Sequence, residues 1–207
     1  MMRSMRLVAS VLGVLTGLAV GNSALAQKAG GTLRVISPDS PATMSIMEEA
    51  TSLAQGPMMG VFNNLVLFDQ SVKQASLQSI VRDLATSWAW SEDGTQLTFQ
   101  LRHGVKWHDG QPFTARDVVC TFDLRLDKAP EKLRVNPRKS WYRNLEAVTT
   151  NGDYEVTFHL KRPQPAFVTA LASGYSPVYP CHVSPRDIRS APAHSNSAHS
   201  SPTNTLK

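Results

Sequence analysis

Two histidines, two aspartates and a tryptophan crowd the stretch RHGVKWHDGQPFTARDVVCTF, residues 102–122, and chemistry is sought there first. His103 and His108 stand five apart with no third ligand at matching spacing, whereas metal sites need three or four placed ligands. Asp109 and Asp117 lack the partners that would make them a general acid and base. The chain has no GxSxG elbow, no HExxH helix and no phosphate-cradling loop. The expectation is therefore a protein that is not an enzyme, with no catalytic residue, no metal site and no cofactor. The same residues read well as architecture. Asp109-Gly110 makes a tight turn, and Thr114 with Asp117 has the spacing of a capping box that opens a helix carrying Val118, Val119, Phe122 and Leu126.

The elements around this stretch alternate. Leu97, Phe99 and Leu101 interleave with Thr98, Gln100 and Arg102, the period of a half-buried strand, and Trp88 and Trp90 precede them across Ser91-Glu92-Asp93-Gly94. That pattern predicts a hairpin. LEAVTT, Asn151-Gly152-Asp153 and YEVTFHLK predict a second, with Tyr154, Val156, Phe158 and Leu160 on one face. Met44 to Leu67 reads as mostly helical with a break at Gly56-Pro57. TLRVI at 32–36 reads as a strand, and AFVTALAS after Pro163 and Pro165 as a short helix capped at Gly174.

The ends differ from the middle. Arg3 and Arg6 precede an apolar run, Leu7 to Val20, that finishes at Ala24-Leu25-Ala26, which predicts a signal peptide cleaved after Ala26 and a periplasmic product. From Ser190 the chain is polar and low in large apolar residues, so a disordered tail is expected. Lys and Arg number 21 against 16 Asp and Glu, without a continuous basic run, which argues against a nucleic-acid partner. Cys120 and Cys181 are the two cysteines. In an oxidising compartment they can form a disulfide; the alternative is a pair of buried thiols.

Taken in order, GGTLRV, VFNNLVLFD at 61–69, LATSWAWSEDGTQLTFQLRHGVKWHDGQPFTARDVVCTF at 84–122, YEVTFHLKRPQPAF at 154–167 and SPVYPCHVSPRD at 176–187 resemble the family 5 periplasmic solute-binding proteins. These are the dipeptide-, oligopeptide- and nickel-binding components of ABC importers. The resemblance implies an α/β fold, a type II (class C) periplasmic binding protein present as an incomplete first lobe with an inserted accessory subdomain. The implied domains are a signal peptide at 1–26, the start of the ligand-binding lobe at 27–59, the insert at 60–174, a return to the first lobe at 175–189 and the tail at 190–207. Full members are more than twice this length, so a truncated or frameshifted reading frame and a poorly binding fragment are expected.

The resemblance further implies a monomer that takes a short peptide or related small solute and docks on an inner-membrane ABC permease. Its candidate ligand contacts are Ser40, Thr43 and Met44 after the first strand, with Arg138, Trp141 and Tyr175. Arg138 is expected to clamp a ligand carboxylate and Trp141 to shield it, since three-residue spacing puts both on one face of a helical segment. The rival reading is a secreted structural or partner-binding module with no small-molecule ligand.

Overall fold

A computed structural model of the chain describes residues 43, 45–190 and 204–205, all within the unit Ser37–Lys207. The expected signal peptide, the strand at 32–36, Ser40, Met44 and most of the polar tail lie outside the described residues.

Both predicted hairpins form. Strands β3 (Ala85–Trp90) and β4 (Gln96–Leu101) pair antiparallel, as do β6 (Leu145–Thr150) and β7 (Glu155–Leu160). The hairpins join through β4 and β7, giving one four-stranded sheet in the order β3-β4-β7-β6. Phe99 sits at its centre, opposite Trp88 on one side and Val156 on the other. The first turn is locked by Asp93, whose carboxylate accepts the Ser91 hydroxyl at 2.6 Å, the Thr95 amide at 3.0 Å and the Thr95 hydroxyl at 2.7 Å. Gly94 takes φ +67° there, a left-handed conformation that side chains disfavour.

Helix α2 (Ala115–Arg125) covers the apolar face of this sheet. Its start is the capping box read from the sequence, with Thr114 in extended backbone and Asp117 reaching back to the Thr114 amide at 2.9 Å. Asp117 in the first turn and Arg125 in the last both complement the helix dipole. Phe122 meets Phe158 edge-on at 4.8 Å and Tyr142 at 5.4 Å, so helix and sheet are joined by aromatic contacts as well as by buried aliphatic area.

The long helical reading of 44–67 is corrected. Helix α1 (Ser52–Met59) continues through Gly56-Pro57, and Val61 and Phe62 then bond back to the Met58 carbonyl and end it. Val66–Phe68 is strand β1, paired with β2 (Ile80–Arg82). The apolar spacing was read across a helix–strand junction. What converts the chain there is Asn64, whose amide donates to Asp83 at 2.8 Å and whose side chain donates to the carbonyls of Leu171 and Ser173. These partners invite extended backbone.

Short helix α3 (Phe167–Ala172) also differs at its exit, because Gly174 is not left-handed. It is close-approached instead: a Cβ at Gly174 would lie 2.6 Å from Met59 Sδ and 2.8 Å from Gln55 Nε2. A second, smaller core gathers Ile46, Met47, Ala54, Met58, Phe62, Leu124 and Tyr179. Strand β5 (Lys106–Trp107) pairs with β8 (Asn204–Thr205), and helix α4 spans Pro185–Ser190.

Candidate functional site

Arg138 ends the basic loop after α2 and begins a 3-10 helix, Lys139–Tyr142, closed by the Trp141 amide on the Arg138 carbonyl at 3.0 Å. In such a helix residues three apart eclipse, so Arg138 and Trp141 share a face as their spacing predicts. The third member arrives from far along the chain. Tyr175 lies with its ring centroid 3.6 Å from the Arg138 guanidinium carbon, and Trp141 stands edge-on to Tyr175 at 6.4 Å and 84°. Arg138 is also 5.9 Å from the Trp141 ring.

The guanidinium points inward. Arg138 is 5% exposed, and its Nη1 donates to the carbonyls of Ile46 at 3.2 Å and Glu49 at 2.7 Å. Burial pulls its pKa below the ordinary arginine value, against the opposing influence of Tyr175. The carbonyls belong to a tight turn in which the amides of Glu48 and Glu49 both bond the Ser45 carbonyl. Arg138 thus ties the segment after the expected first strand to the aromatic pair. Thr43, in that segment, is half-buried and accepts the Ser45 amide at 3.2 Å. Trp141 keeps 39% of its surface exposed, so the outward group of the cluster is an indole and the cation lies behind it.

A second buried arginine supports the same region. Arg125 donates from Nη2 to the carbonyls of Tyr175 at 3.1 Å and Pro177 at 3.4 Å, and its guanidinium lies over the rings of Phe122 and Tyr142. Among the described residues its Nε has no hydrogen-bond partner. Tyr142 is fixed by Ser176 at 2.6 Å. The arrangement suits holding a solute against aromatic surface. It offers no nucleophile paired with a base.

Three contacts escaped the sequence reading. Asp117, besides capping α2, accepts the Cys181 amide at 2.8 Å and the Trp107 indole N–H at 3.3 Å. His182 meets Asp109 at 2.6 Å. The disulfide is different, being one of the two readings the cysteines allowed: Cys120 in α2 and Cys181 are joined, with Cα atoms 5.5 Å apart. Only the capping role of Asp117 had a local signal. Of the histidines first considered, His103 stacks on Tyr154 at 3.9 Å. Among the described residues no group of three or more His, Cys, Asp or Glu side chains could hold a metal ion.

Residues 79–205 match the family described as bacterial extracellular solute-binding proteins, family 5 Middle, and the chain belongs to that family. Its members are transport binding proteins, not enzymes. The dipeptide-binding protein of Escherichia coli is 30% identical over 131 residues, which cover 57% of this chain and 24% of that protein. Among solved structures, HbpA2 from Haemophilus parasuis is similar with a TM-score of 0.61 and 27% identity, over 69% of this chain and 30% of that one. The oligopeptide-binding protein AppA from Bacillus subtilis, solved with a nonapeptide, gives a TM-score of 0.59 and 27% identity over 70% and 27% of the two chains. The fold is accordingly that of a type II periplasmic binding protein, and the chain spans about a quarter of the length of such relatives.

Proposed function

We propose that this chain is part of the solute-binding component of an ABC importer, exported to the periplasm, with a short peptide or related small solute as ligand and an inner-membrane permease as partner. The observation that carries the reading is the Trp141–Tyr175 pair seated on buried Arg138, which presents an exposed indole and is tied through Arg138 to the carbonyls of Ile46 and Glu49, shortly after Thr43. Ser40 and Met44 belong to the same proposed contact set. Arg138 acts in it as a support, because its Nη1 is held by backbone carbonyls. A peptide would be held by backbone hydrogen bonds along extended chain and by apolar contact with the indole.

On its own the chain binds weakly, since the proposed contacts form one wall of a receptacle. Titration calorimetry of the purified chain with di- and tripeptides is the test. Binding in the millimolar range that is lost in Trp141→Ala is expected. Micromolar affinity would refute the one-wall reading, and heats unaffected by Trp141→Ala would refute the site.

A further inference from the structure

We propose that the cationic face around the 3-10 helix Lys139–Tyr142 docks the protein on an anionic phospholipid surface. Two adjoining clefts open there. One, of about 610 Å³, has Lys128, Lys139, Arg143, Glu146 and Lys161 in its wall. The other, of about 1020 Å³, has Trp141, Arg143, Lys161 and Arg162, so that Arg143 and Lys161 belong to both. Five cations therefore meet Glu146 and Asp127, the latter ion-paired with Lys139, in a chain whose whole formal net charge is +5. Behind the same helix, the guanidinium groups of Arg125 and Arg138 are held by carbonyls and rings.

The side chains are disposed for a broad anionic partner. Lys128 and Lys161 are held at the cleft rims by their bonds to the carbonyls of Glu146 and Arg143. Arg143 and Arg162 are exposed, and among the described residues neither guanidinium has a hydrogen bond or ion pair. The half-exposed indole of Trp141 lies among them. Cations together with an indole match the headgroup zone of a bilayer, where ammonium and guanidinium groups meet phosphates and tryptophan sits at the interface. A single free anion would use only part of this spread. The plainer role, cations guarding the exposed edge of strand β6, predicts no lipid dependence.

The test is co-sedimentation of the full chain with vesicles of phosphatidylcholine mixed with phosphatidylglycerol, compared with phosphatidylcholine alone. The readout is the ratio of the two partition coefficients, in which binding by apolar segments cancels. A ratio well above unity that falls with added salt is expected. The double variant Arg143→Gln/Arg162→Gln should lower it about thirtyfold, since each cation near such a surface contributes about a fivefold factor, while the double lysine variant retains it. Both residues are exposed, so circular dichroism of the variants should match the parent. Equal partitioning to the two vesicle types, or a ratio unchanged in the glutamine variant, would overturn the proposal. Displacement by millimolar inorganic phosphate would assign the face to a free anion and overturn it as well.

Discussion

Replacing Arg138 by alanine separates a supporting role from a ligand-clamping one. The side chain makes two charge-assisted bonds, to the carbonyls of Ile46 and Glu49, and stacks on Tyr175. Each such bond contributes roughly 1.5–3 kcal/mol, and the stacking adds about 1 kcal/mol. Removing the buried cation also relieves a desolvation cost, the same cost that lowers its pKa. The net loss should be roughly 2–4 kcal/mol, a large share of the ~5–15 kcal/mol typical of a folded domain. Urea unfolding followed by tryptophan fluorescence measures it. Arg138→Lys should recover about half, because one ammonium without a planar fork serves fewer acceptors and stacks less well. Amide exchange at Glu48 and Glu49 should accelerate in the alanine variant, as the turn loses its tie to the rest of the fold. A loss below ~0.5 kcal/mol, accompanied by loss of peptide binding, would refute the supporting role and restore the clamp.

Asp117→Ala should cost roughly 3–5 kcal/mol in the same unfolding assay, because it strands the buried indole donor of Trp107 and the half-buried amides of Thr114 and Cys181 together; a cost under ~1 kcal/mol would show that these bonds are replaceable. Asp93 is held down to a pKa of about 2 by the Ser91 hydroxyl and the Thr95 amide and hydroxyl. Its folded value lies below its unfolded one, so its stabilising contribution is complete above about pH 4 and disappears as the pH falls through 2. A carboxyl NMR titration should find that midpoint, and Ser91→Ala should raise it. Reducing the Cys120–Cys181 bridge, which spans 61 residues, should lower stability by roughly 4 kcal/mol in the chain-entropy account. The segment should nevertheless stay docked, because the Tyr179 amide on Thr121, the Cys181 amide on Asp117 and the Arg125 bonds persist. Amide exchange at Tyr179 and Cys181 in reductant checks this, and solvent-like rates at those two positions alone would contradict it.

Both hairpins and the capped helix were legible in the sequence, because each is specified by neighbours: alternation sets a strand face, Asp93 and Gly94 set a turn, and Thr114 with Asp117 sets a helix start. The resemblance to a solute-binding family rested on these same local blocks. The reading failed where a local period crossed an element boundary, at Met58 to Val66, and at Gly174, where packing of Met59 and Gln55 fills the role assigned to a cap. The candidate site divides in the same way. Spacing alone placed Arg138 and Trp141 on one face. That the cation turns inward was decided by carbonyls 92 and 89 residues away, and Tyr175 reaches it only through the tertiary fold. A buried guanidinium goes wherever unsatisfied acceptors are, and for Arg138 those acceptors exist only once distant segments have packed together.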